Sequence, residues 1–222
     1  MKIIILFISI ILTAVLYTQF NFINKNNNNL ETFETVNPNK TLFETKVNTR
    51  LPCIFNNITD QFNDLQKFSL ESINSLDKST KKELINTLKL YFEYYLVPMT
   101  YKSNFNVLLE KEGTTTQLQR QLHYRLLICQ LKGSKTVLLF PPNKKHKLYP
   151  DKTFNKSTIN IWDTDIDEIP DIKNTKYLEV ILFAGNMLYI PNNWWYSTLN
   201  NEDSYCIYQT SESVFSNFLK LK

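Results

Sequence analysis

Metal and nucleophilic chemistry draws mostly on His, Cys and carboxylate side chains. This chain of 222 residues holds two histidines, His123 and His146, and three cysteines, Cys53, Cys129 and Cys206. His146 lies in the run Lys144-Lys145-His146-Lys147, which is expected to be a solvated loop. The cysteines are widely spaced, and Cys129 and Cys206 sit within apolar strand-like runs. That pattern predicts buried thiols and not a disulfide framework. The stretch "IPNNWWYSTL", residues 190–199, uses Pro191-Asn192-Asn193 as a turn that delivers Trp194, Trp195 and Tyr196 to a strand. A phenol at such a place would bind metal only after ionising against a pKa of about 10.

Three glycines in the chain exclude a Gly-rich phosphate loop. A formal net charge of +4, with no long basic stripe, gives no reason to expect nucleic-acid binding. The first residues are of another kind. "MKIIILFISIILTAVLYTQF" has one lysine and then an apolar run from Ile3 to Tyr17. It is expected to be a signal anchor or transmembrane helix over residues 1–20. The bulky "TAVLYTQF" lacks the small residues of a cleavage site, so an uncleaved single-pass anchor is preferred to a secreted protein. An Asn-rich tract over 21–40 has no apolar period and is expected to be a flexible stalk. Sequons at Asn39, Asn57 and Asn155 suit a lumenal or exterior domain, although an Asn-rich chain produces sequons by chance.

The elements that must position any site fill residues 41–222, read as one domain. "RLPCIF" (50–55) reads as a short strand. "TKKELINTLKLYFEYYL" reads as an amphipathic helix with Thr80 and Glu83 at capping-box spacing. From residue 105 the pattern is β. The runs are "NVLLE", "YRLLICQL", "TVLLF", "TINIW", "YLEVIL", "MLYI", "WWYSTL" and "YCIYQT". Turns such as Lys132-Gly133-Ser134 separate them, and Gly133 is expected at positive φ in a tight hairpin. Short strands at this spacing predict a mainly β fold with some helix, a sandwich or a small jelly-roll barrel. "SVFSNFLK" is expected to be a closing helix.

The order "LLICQLKGSKTVLLFPP", "LYP" and "VILFAGNMLYIPNNWWYSTL" resembles the cupin-like branch of the JmjC family over about residues 41–210. "LFETKVNTRLPCIF" looks like that family's N-terminal strand. The resemblance implies a double-stranded β-helix. It also implies an Fe(II)/2-oxoglutarate site built from a His-x-Asp/Glu pair and a distal histidine, three ligands that leave one face of the iron open. Counted back from Gly133 by the family spacing, the pair falls on Arg120 and Leu122, and the distal position falls on Tyr196. None is a usual ligand for ferrous iron, and sliding the alignment to His123-Tyr124-Arg125 still supplies no carboxylate.

Lys135 matches the family lysine that pairs with the far carboxylate of 2-oxoglutarate, though an ordinary hairpin lysine would look the same. Trp194 and Trp195 read as aromatics holding the barrel mouth. The resemblance therefore implies a degenerate oxygenase that holds no metal or cofactor. It would be a membrane-held binding or structural module for an unknown protein or small anionic ligand. A pocket lined by Lys135, Tyr196, Trp194 and Arg120 would receive that ligand. The alternative is an active oxygenase with Fe(II), 2-oxoglutarate and an unusual ligand set.

Overall fold

A computed structural model describes residues 2–24, 26–58, 86, 100–163 and 169–213. Helix α1 (Lys2–Asn24) is followed by β1 (Phe33–Val36), α2 (Lys40–Asn48) and β2 (Cys53–Asn56). Then come β3 (Thr100–Glu110), β4 (Gln119–Arg120), β5 (Arg125–Lys132) and β6 (Ser134–Phe140). A 3-10 helix (Pro142–Lys147) and a short α3 (Pro170–Lys173) precede β7 (Leu178–Phe183), β8 (Met187–Pro191), β9 (Trp195–Asn200) and β10 (Ser204–Ser213). The helix expected from Thr80 onward and nearly all of "SVFSNFLK" lie outside the described residues.

The strands form a six-stranded sheet, β1-β2-β8-β5-β10-β3, and a four-stranded sheet, β4-β9-β6-β7. Every pairing is antiparallel except β1 with β2. The architecture is mainly β and of the jelly-roll class. Leu126, Ile128, Val137, Leu139, Val180, Leu182, Leu188, Ile190 and Trp194 meet between the sheets, at alternate positions along their strands. The opposite face of β5 is buried as well. Leu127 and Cys129 pack with Tyr189, Tyr205 and the α2 residues Phe43 and Val47. Burial on both faces explains the unbroken apolar run in β5, since alternation is lost when neither face meets water. A third cluster covers the outer face of the four-stranded sheet, where Leu138, Phe140 and Trp195 pack with Leu118, Leu148 and Ile172.

Several sequence expectations are corrected. The tract over 21–40 is not a free stalk. Phe33–Val36 adds a parallel strand to β2, and Asn27 Nδ2 donates to the Thr49 carbonyl at 3.1 Å. Residues 41–48 belong to a helix and not to a strand. Asn39 Oδ1 caps it by accepting from the Leu42 amide at 2.8 Å, while Phe43 and Val47, one turn apart, enter the core. "TINIW" forms turns: Ser157 makes only an isolated bridge to Pro150, and Ile161 packs as a loop residue. Gly133 has φ +70° as expected, but β5 and β6 belong to different sheets. The glycine is thus a corner that carries the chain across the sandwich. A Cβ at Gly133 would lie 2.6 Å from the Asp203 carbonyl oxygen.

The α1 side chains from Ile3 to Tyr17 are exposed. Among the described residues no helix is long and apolar enough to cross a membrane. The backbone helix itself continues to Asn24, 23 residues in all, or roughly 34 Å at 1.5 Å per residue.

Candidate functional site

Strand pairing decides which side chains face the space between the sheets. Tyr196 on β9 stands opposite Leu139 on β6, and Lys135 stands opposite Asn200. Leu139 and Val137 are inner-core residues, so Lys135, Tyr196 and Thr198 share their face. Gln119 on β4 is directly opposite Tyr196, and its Nε2 donates to the Tyr196 hydroxyl at 3.0 Å. Burial, with Tyr208 nearby, raises the Tyr196 phenol well above the usual tyrosine value. It is a neutral group at any physiological pH.

Lys135 is fully buried on the same face. Its ammonium donates to Glu110 Oε2 at 2.5 Å, to the Tyr208 hydroxyl at 3.2 Å and to Cys206 Sγ at 3.3 Å. An ammonium has three N–H donors, and these partners use all of them. Burial alone would lower the lysine's pKa. Tyr208, Cys206 and the Glu110 carboxylate more than offset it and hold the group above its ordinary value. Burial in turn pushes Cys206 up to about 11 and Tyr208 up to about 12, so near neutral pH the pairing partner of Lys135 is the Glu110 carboxylate. In the sequence, Glu110 closes the apolar run "NVLLE" with a carboxylate, opposite Ser204 of β10.

Of the other expected site residues, Trp194 packs in the inner core with Tyr196, while Arg120 and Leu122 do not join it. Arg120 stands opposite Trp195, on the reverse side of β4 and β9 from the Gln119–Tyr196 pair. It lines an outer cleft with Trp195, so one pocket does not contain both Arg120 and Tyr196. Leu122 is half-buried beyond the end of β4. Trp194 and Trp195 are both fully buried, one in the inner core and one in the outer cluster, and so are core groups and not rim groups. His123 Nδ1 lies 2.5 Å from Glu212 Oε1, at the far end of β10 from the lysine cluster. His146 stacks edge-on against Phe154 at 5.7 Å. Cys53, Cys129 and Cys206 are free, buried thiols, as expected.

By alternation Arg120 points away from Tyr196. The side chain that reaches Tyr196 from β4 is Gln119, and two positions on is Gln121, whose Nε2 donates to the Ile190 carbonyl at 3.4 Å. The Gln121 Oε1 accepts from the His123 amide at 2.8 Å. Gln119, which meets Tyr196, and Gln121 beyond it are thus amides already engaged in hydrogen bonds. Among the described residues no three His, Cys, Asp or Glu side chains come together as a metal cage. A neutral phenol and carboxamides do not fit ferrous iron, and a lysine with every donor used does not fit the carboxylate of 2-oxoglutarate.

Two packed sheets of this strand order make a domain of the jelly-roll class. The profile of the family described as "Cupin-like domain" matches residues 19–209, so the chain belongs to that family, in the cupin-like branch of JmjC proteins. It is similar to JmjC domain-containing protein D of Dictyostelium discoideum, 35% identical over 46% of this chain and 24% of that protein. It is similar as well to lysine-specific demethylase JMJ30 of Arabidopsis thaliana, 34% identical over 38% of this chain and 20% of that protein. JmjC domain-containing protein C of Dictyostelium discoideum is 28% identical over a longer stretch, 63% of this chain and 35% of that protein. The chain spans about a third or less of the length of these relatives.

Proposed function

We propose that this chain is a cupin-like, JmjC-related domain that has given up oxygenase chemistry and serves as a binding or structural module. The observation that carries the reading is the saturation of Lys135. In an active member this lysine pairs with the cofactor's carboxylate; here the Glu110 side chain fills that role from within the fold. Tyr196, at the position the family resemblance gives to the distal ligand, is engaged by Gln119 in a hydrogen bond. Both replacements act in the same direction. Purified protein should contain no stoichiometric iron, and supplied with Fe(II) and ascorbate it should release no carbon dioxide from 2-oxoglutarate. Turnover above that of a heat-denatured control would overturn the reading.

The same proposal places the domain at a membrane. The apolar, exposed face of α1 from Ile3 to Tyr17 favours an N-terminal anchor, with the domain on the lumenal or exterior side. Fractionation under alkaline carbonate tests it: retention in the pellet is expected, and release into the supernatant contradicts it.

A second reading is an active oxygenase. The demethylase name of one relative favours it, and Fe(II) with 2-oxoglutarate would then be required. For this chain it demands that Glu110 release Lys135 and that ligands other than Gln119 and Tyr196 converge.

A further inference from the structure

A cleft of about 290 Å³ opens on the outer side of β4, away from the Lys135 cluster. Its walls include Arg120 and Trp195 from the barrel, Pro142 and Lys145 from the 3-10 helix, and asparagines from three separate segments. Arg120 is half-buried here, yet among the described residues its guanidinium has no ion pair and no hydrogen bond, and its Nε is sealed from solvent without a partner. Burial with no compensating carboxylate lowers its pKa. An unpaired, partly desolvated cation is costly, and an oxyanion is the group that relieves it.

The remaining lining has the same polarity. Lys145 brings a second cation, whose ammonium sits 5.9 Å over the Phe154 ring. Among the described residues that line the cleft there is no carboxylate. The side-chain carbonyls of Asn26 and Asn28 are turned to the protein. Asn26 Oδ1 accepts from Asn193 Nδ2 at 3.1 Å, and Asn28 Oδ1 accepts from the Asn143 amide at 3.1 Å. The NH₂ groups of Asn26 and Asn28 are thereby left as donors at a wall that already carries two cations. Two cations and two amide donors on one wall disfavour a cation and favour an acceptor.

We propose that this cleft is a binding site for a phosphate monoester, with Arg120 as the bidentate anchor, Lys145 as the second charge and the Asn26 and Asn28 amides as clamps. The inference does not depend on whether the inner pocket is inert. Because Asn26 follows the end of α1 by two residues, the phosphate could be carried by a free small molecule or by a lipid headgroup. In both cases the ligand would tie the tract after α1 to the barrel, since that tract supplies one wall.

The test uses the full chain in micelles of a neutral detergent. Inorganic phosphate is titrated by calorimetry against chloride at matched ionic strength, and in a second arm the micelles are doped with phosphatidic acid or with phosphatidylcholine. Saturable binding of phosphate, or selective retention of phosphatidic acid, is the expected result, and the arm that responds names the source. Arg120→Gln should weaken binding at least tenfold. Lys145→Gln, on an exposed side chain with no part in the core, should weaken it by a smaller factor, and Lys176→Gln on another surface should leave it unchanged. If neither arm binds above its control, or if Arg120→Gln and Lys145→Gln both bind like the unmodified chain, the proposal fails.

Discussion

The Lys135 ammonium and the Glu110 carboxylate meet at 2.5 Å across β6 and β3, with the lysine side chain wholly out of solvent and the glutamate 14% exposed. A buried ion pair of this kind contributes little net stability, but losing one partner strands the other charge in a medium that solvates it poorly. Glu110→Ala should therefore lower unfolding free energy by about 3–5 kcal/mol in a denaturant titration. Glu110→Ala with Lys135→Met should recover most of that loss. A single variant as stable as the unmodified chain would mean that the pair does not close the pocket.

Alkaline pH should destabilise the domain through its thiols. Burial pushes Cys129 from 9.0 up to about 12 and Cys206 up to about 11. Each folded-state value exceeds that of the unfolded chain. The stabilising contribution is thus complete below about pH 9 and is lost as pH rises, because the unfolded thiols ionise while the folded ones do not. The slope should approach about 1.4 kcal/mol per pH unit for each thiol between pH 9 and 11. Urea midpoints across that range check it, and Cys129→Val should reduce the slope.

Much of the barrel was legible because its strands are short, apolar and separated by turn residues. Seven of the eight expected runs are strands, and Gly133 has the positive φ that its turn required. "TINIW" misled because Ile161 is buried as a loop residue under the outer sheet face, so an apolar run did not imply pairing. The N-terminal tract misled because asparagines lack an apolar period yet bond well to backbone, as Asn27 and Asn39 do. At the site, Lys135 and Tyr196 share a face as expected, whereas Arg120, which spacing grouped with them, points the other way. Only strand pairing reveals that Gln119, not Arg120, meets Tyr196. Glu110 lay too far away in sequence for any motif to link it to Lys135.

The domain boundary follows from β1. A chain beginning at Asn26 keeps the parallel pairing of Phe33–Val36 with β2, whereas one beginning at Thr41 loses it and exposes the edge of Cys53–Asn56. The longer truncation product should unfold cooperatively and remain monomeric. The shorter one should melt at lower temperature or self-associate. Equal melting temperatures in scanning calorimetry would show that β1 adds nothing.

Register is open to direct test by grafting ligands. Gln119→His, Gln121→Asp and Tyr196→His together should create Co(II) affinity visible as ligand-field absorption, since β4 directs position 119 at position 196. Arg120→His, Leu122→Asp and Tyr196→His should not, because position 120 faces Trp195 on the reverse side. The opposite ranking would reinstate the spacing-based assignment.

The central claim is that the ancestral pocket is closed on itself by Lys135–Glu110 and Gln119–Tyr196. It is tested most directly by anaerobic equilibrium dialysis of the unmodified full chain against labelled 2-oxoglutarate, with Mn(II) standing in for ferrous iron. The account predicts no retained 2-oxoglutarate and no retained metal above a serum albumin control. One equivalent of each, bound together and lost on Lys135→Met, would contradict it.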